Sequence, residues 1–145
     1  MEAIANHRDW VVWQRSIALA TALHSSTCTE VSNGSALREQ MKTCSITLAT
    51  HIAESVSLAS RSERIRVLSS ARSLLARLEV QLQVCERMRL AADLPNVHEH
   101  IVLLARLLDG VILQLREQPD RDARSNLPID VRHPRAAASI AGASN

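Results

Sequence analysis

Apolar residues recur at steps of three and four through four long segments of the chain, the spacing of one helix face. The last segment is the clearest. Val97, Ile101, Leu104, Leu108, Val111 and Leu115 form one stripe, and Val102, Leu103, Leu107, Ile112 and Leu113 widen it over most of the circumference. A single core cannot use that much apolar surface. The pattern therefore predicts a second burial, against another copy of the chain. Leu104 and Leu108 are expected to fill the interior, while Leu103 and Leu107 point off that line and are the candidate oligomer interface.

The other segments read in the same way. A first helix is predicted from Asp9 to His24, with Trp10, Trp13, Ile17 and Ala20 on one stripe and Val12, Leu19 and Leu23 on a second. Trp13 is expected to be mostly buried. Ser25 to Ser35 is a polar connector rich in turn formers, ending in Asn33-Gly34, with Ser35 as the expected N-cap. A second helix is predicted from Ala36 to Leu58, with Leu37, Met41, Cys44, Leu48 and Ile52 inward. A soft break follows at Ser57 to Ser62, where Ser60 and Glu63 have capping-box spacing. The third helix then runs to Leu90, about 45 Å at 1.5 Å per residue. Its stripe is Ile65, Leu68, Leu75, Leu78, Leu82 and Cys85, with Val67, Leu74, Val84 and Met88 beside it. Asp93-Leu94-Pro95 separates it from the fourth helix, which ends near Gln118.

From Pro119 onward the chain has three prolines, alternating charges and a small-residue end. That composition buries too little apolar surface to offset the entropy of ordering. The expected organisation is one helical domain over residues 1–118 and a tail over 119–145, ordered only where it meets a partner. Four helices with short connectors favour an all-α, antiparallel up-down-up-down four-helix bundle.

Composition sharpens this picture. Residues 35–94 contain neither Gly nor Pro, and the chain has two Trp, no Tyr and no Phe, so a turn-rich β fold is excluded. The formal charge of +2 is too small to indicate a partner by itself. Sixteen of the 17 basic residues are Arg and one is Lys42, a bias that a GC-rich genome would also produce. Cys28, Cys44 and Cys85 are odd in number, widely spaced and outside any CxxC, the pattern of free thiols. With no secretory signal and no apolar run of spanning length, the expected setting is the cytoplasm and no membrane.

The middle of the chain reads Gln40-Met41-Lys42-Thr43-Cys44-Ser45-Ile46-Thr47-Leu48-Ala49-Thr50-His51-Ile52-Ala53-Glu54. With Val12-Trp13-Gln14 in the first helix, it resembles the 23S ribosomal RNA intervening-sequence proteins. Members of that family carry a V-W-Q element in helix one and a Q-L-R-R-A-x-x-S-I-x-x-N-I-A-E-G element in helix two. Gln40, Lys42, Ile52, Ala53 and Glu54 match or nearly match the second element. Leu68, Ala71, Arg72, Leu78, Glu79 and Leu82 fit the family's helix-three pattern. The chain departs from the family at His51 and Ser55, at Arg77 in place of an acidic residue, and at His24 in place of a tyrosine. The resemblance covers residues 8–115. It implies an antiparallel four-helix bundle that assembles into a homo-oligomeric ring, typically a pentamer. A related branch of the family serves as an accessory factor to reverse transcriptases of diversity-generating retroelements and contacts both the enzyme and nucleic acid.

Candidate chemistry is sparse. His98 and His100 sit two apart, about 200° around a helix, and cannot share a metal as an H-x-x-x-H pair can. They read as a solvated helix start. His51 and Glu54 are three apart and read as a polar pair rather than an acid/base pair. No nucleophile elbow, phosphate loop or paired-cysteine motif is present, so no catalytic residue, metal or cofactor is assigned. The third helix carries seven arginines against three glutamates between Ser60 and Ala91, a net of +4. Arg61, Arg64, Arg66, Arg72 and Arg77 are the candidate contacts to RNA or DNA. The competing account is a solvated face whose arginine stems cover apolar surface. No Tyr or Phe can stack on bases. The first expectation is a non-enzymatic, self-associating scaffold or adaptor. The alternative is a nucleic-acid-binding accessory protein, for example to a reverse transcriptase.

Overall fold

The computed structural model describes residues 10–25, 34–90, 94 and 96–118. They form four helices, α1 (Val11–Ser25), α2 (Ser35–Ser57), α3 (Arg61–Arg87) and α4 (Val97–Glu117), with no strand among the described residues. Residues 119–145, expected as a tail, lie outside them, as do Cys28, Asp93 and Pro95. The all-α fold follows from the stripes. Each helix packs on its neighbour in sequence, and α1 closes on α4.

The shared core is built from Leu19, Leu23, Met41, Leu48, Ile52, Leu68, Leu75, Leu78, Leu82, Ile101, Leu104 and Leu108, all at 2% exposure or less. Each such side chain contributes roughly 1.5–3 kcal/mol of burial. Three serines enter this interior without leaving a polar group unmet. Ser16, Ser45 and Ser55 donate to the carbonyls of Trp13, Lys42 and Ile52, three residues back in their own helices. Cys85 places its thiol 3.8 Å from the Met41 sulfur, deep between α2 and α3.

Several expected positions move by one residue around their helices. In α4 the fifth core residue is Ile112, while Val111 is half-buried. In α1 the buried face is Val12, Ser16, Leu19, Ala20 and Leu23, and Ile17 is exposed. Trp10 and Trp13 lean on the core from its edge, so Trp13 is half-buried rather than mostly buried. Ser16, rather than neighbouring Ile17, takes the inward position, and its hydroxyl is satisfied locally by the Trp13 carbonyl.

The helix ends depart from the expected caps in instructive ways. Ser60 caps α3 as expected, accepting from the Glu63 amide at 3.4 Å. At α2 the N-cap is Gly34, not Ser35. A side chain on Gly34 would place its Cβ 2.5 Å from Leu90 Cδ1, so any larger residue there would oblige the Leu90 side chain to shift. Helix α3 stops at Arg87 rather than Leu90 because Arg89 adopts a left-handed backbone, φ 59°. The Leu90 amide then reaches the Cys85 carbonyl at 2.8 Å and the Arg89 amide reaches that of Glu86 at 3.0 Å, the paired bonds of a Schellman closure. Asn96, also left-handed at φ 71°, opens α4. Asn tolerates that region better than most residues.

Candidate interaction surfaces

Three surfaces collect the residues that sequence alone singles out, and Arg77 belongs to two of them. The first is the outer side of α4. Leu104 and Leu108 are fully buried, whereas Val102, Leu103 and Leu113 remain exposed. Of the expected interface pair, Leu103 is exposed and Leu107 is half-buried against the core. Gly110 lies three residues beyond Leu107 on the same flank, and a Cβ there would meet nothing within 4 Å.

The second surface is the arginine series of α3, which does not form one continuous strip. Arg61 stands at the start of α3 and donates through Nη1 to the Leu115 carbonyl at 3.3 Å and to that of Gln118. Arg64 turns back to the Leu58 carbonyl at 2.7 Å. Arg72 pairs with Asp109 of α4, Nε to Oδ1 at 2.9 Å. Arg66 and Arg77 are exposed and make no hydrogen bond or ion pair among the described residues. On α2, nearly buried Arg38 donates to the Leu90 carbonyl beyond the end of α3. The common cause is the helix terminus, whose last carbonyls have no intrahelical donor and lie at the negative end of the dipole. A planar guanidinium suits that place. The Arg72–Asp109 pair is partly exposed and contributes at most about 1 kcal/mol.

The third surface is an open groove of about 690 Å³ between α2 and α3, lined by Glu39, Gln40, Thr43, Cys44, Thr47, Leu74, Arg77 and Gln81. At its floor the Cys44 thiol donates to the Leu74 carbonyl at 3.5 Å. Burial pushes this thiol above its ordinary range, and the nearby Arg77 charge partly opposes the shift. The Gln81 Oε1 atom is buried without a hydrogen-bond partner among the described residues. Glu39 at the rim accepts from Lys42 at 3.2 Å.

The histidines are placed as their spacing suggests. His51 Nδ1 lies 3.3 Å from Glu54 Oε2, and the pair is solvent-facing. His98 is exposed and His100 half-buried, on different sides of the first turn of α4. Among the described residues no group of three His, Cys, Asp or Glu side chains is placed to hold a metal ion. No described helix is long and apolar enough to cross a membrane.

Two features were not drawn from the sequence. The carbonyl-capping arginines could have been suspected from arginines set just inside the starts of α2 and α3. The outward line of Val80, Val84 and Met88 was harder to see, because Val84 and Met88 sit beside the core stripe in the linear pattern. The structure turns both outward. In comparison with known proteins, the family model for the 23S rRNA-intervening sequence protein matches residues 8–110. No curated protein and no solved structure matches the chain.

Proposed function

This chain belongs to the 23S rRNA-intervening sequence protein family, and from that premise we propose that it is a non-enzymatic, self-associating scaffold or adaptor. Its unit is an antiparallel up-down-up-down four-helix bundle. The packing of each helix on its sequence neighbours, with α1 closing on α4, supports that topology. So do the ties from the start of α2 to the end of α3 and from the start of α3 to the end of α4.

The observation that carries self-association is the divided face of α4. Leu104 and Leu108 are fully interior, while Leu103 on the adjacent flank and Val102 and Leu113 beyond it stay in solvent. Copies arranged in a closed ring bury such a flank on every subunit and leave no free end. The number five comes from the family resemblance; the apolar flank supports only more than one copy. The cytoplasmic setting belongs to the same reading, with Cys44 and Cys85 as free thiols. Light scattering behind size exclusion tests the assembly. A mass several times 16.0 kDa is expected. A sharp monomer peak at micromolar concentration refutes the ring. Leu103→Glu should yield smaller species that stay helical.

The accessory-factor alternative rests on Arg66 and Arg77, whose guanidinium groups are exposed and without partners among the described residues. The heads of Arg61, Arg64 and Arg72 are engaged within the fold. A salt-dependent mobility shift with RNA or DNA, weakened by Arg66→Gln with Arg77→Gln, would favour it over the scaffold reading.

A further inference from the structure

On the C-terminal half of α3, Val80 is 61% exposed, Val84 40% and Met88 51%. These residues follow one another at steps of four, so they form one line along the helix. Arg77 precedes Val80 by three and Val84 by seven; Arg87 follows Val84 by three and Val80 by seven. Both arginine stems therefore flank the same line, one toward each end. Both are exposed, and neither has a partner among the described residues. The carboxylates of this half, Glu79 and Glu86, lie on a line turned about 100° from Val80. The strip from Arg77 to Met88 is thus apolar in the middle and positive at its flanks, over about 16 Å. It is a different side of the molecule from the α4 flank.

We infer that this strip is the docking site for an amphipathic helix of a partner protein, one with an apolar ridge and Asp or Glu beside it. The charges point to the sign of the partner, since two guanidinium groups without partners among the described residues bracket the apolar line and no carboxylate lies within it. The backbone points to its conformation. A helix face offers no free N–H or C=O to an incoming strand, so the partner must satisfy its own backbone. The neighbouring groove adds a second feature. Arg77 borders both strip and groove, and beside it lies the unmet Oε1 of Gln81. That oxygen is buried, so a partner's donor would satisfy it only if the Gln81 side chain turned outward into the groove. A nucleic acid would use the arginines and leave the valines and Met88 in water. A two-fold contact between copies would set these arginines against their own counterparts, and a head-to-tail contact would show as a loss of mass in the serine variant. The inference rests on the adaptor half of the function proposed above and is independent of the ring.

The test is selection of an mRNA-displayed library of random 20-residue peptides on the full chain. Enriched peptides should repeat Leu, Ile, Met or Phe at steps of three and four, flanked by Asp or Glu. Their affinity should fall at least tenfold in Val80→Ser with Val84→Ser, and at least tenfold in Arg77→Gln with Arg87→Gln. Both double variants change exposed side chains, and far-ultraviolet circular dichroism should match the parent. The mass by light scattering should also be unchanged. The inference is overturned by no enrichment, by enrichment of neutral or basic peptides, or by affinity indifferent to either double variant. A lower mass for the serine variant also overturns it, because the strip is then a seam between copies. So does a 20-nucleotide RNA or DNA strand that displaces the peptides and still binds the serine variant with full affinity. A monomeric parent that selects acidic helices would remove the ring and leave this inference standing.

Discussion

Replacing Arg89 isolates the turn that ends α3. Its φ of 59° lies in the left-handed region, which costs an L residue about 1–2 kcal/mol relative to the right-handed helix. Glycine escapes that steric penalty. It also has more freedom in the unfolded chain, which takes back about 0.5–1 kcal/mol. The side chain is exposed and makes no hydrogen bond among the described residues, so its loss forfeits only its interaction with the helix end, about 0.3–1 kcal/mol. Arg89→Ala loses that same interaction and keeps the Cβ. The informative quantity is therefore the difference between the two variants: Arg89→Gly should be more stable than Arg89→Ala by about 0.5–1 kcal/mol. Urea denaturation followed by circular dichroism, at one fixed protein concentration, reads this as a shift in midpoint with unchanged slope. Equal stabilities, or alanine the more stable, would mean that the left-handed residue carries no strain. The Schellman account of why α3 stops three residues early would then fail.

Gly110→Ala should raise stability by about 0.5–1 kcal/mol in the same assay, because the position is helical and exposed and the added methyl meets nothing within 4 Å. A fall in stability together with a loss of mass would place a second copy against that glycine. Trp13→Ala should cost about 2 kcal/mol, roughly half the 3–5 kcal/mol typical of a fully buried aromatic, since Trp13 rests on the edge of the core. A loss beyond about 4 kcal/mol would show it buried by something beyond this chain. Cys44 and Cys85 should resist alkylation in the folded protein and label on unfolding, as read by peptide mass spectrometry. Burial keeps reagent away from Cys85, whereas Cys44 lies at the floor of the open groove and is protected by its raised pKa, which keeps it as the thiol at neutral pH, the form that does not attack. Rapid native labelling of Cys85 would contradict the packing between α2 and α3.

The four helices were legible because nothing competes with their periodicity: sixty consecutive residues lack Gly and Pro, so stripe spacing alone decides. The boundaries held to within two or three residues, as at Ser60, whose cap is written in the chain. The misplaced apolar residues have one physical origin. A stripe fixes which side of a helix is apolar but not its rotation in the fold, so Val111 and Ile112 exchange roles and Trp13 moves to the rim. Val84 and Met88 belong to the same uncertainty, since only the placement of α2 and α4 against α3 decides that they face outward. The arginine roles were hidden for another reason. Counting charge treats Arg61, Arg64 and Arg72 alike with Arg66 and Arg77. What separates them is distance to a carbonyl or carboxylate, six residues away for Arg64 and remote in sequence for Arg61 and Arg72, and one chain's linear order does not contain that distance.

Those remote contacts also constrain how the chain can change length. Arg38 holds the Leu90 carbonyl across 52 residues, and Arg61 holds those of Leu115 and Gln118 across 54 and 57. Helix α3 belongs to both latches, receiving one at its end and extending the other from its start. Deleting one turn within it would shorten it by about 5 Å and pull both guanidinium groups out of reach together. Insertions and deletions should therefore be tolerated in the connector before Gly34 and rejected within α3. The helix acts as a ruler whose length two separate fastenings hold in common.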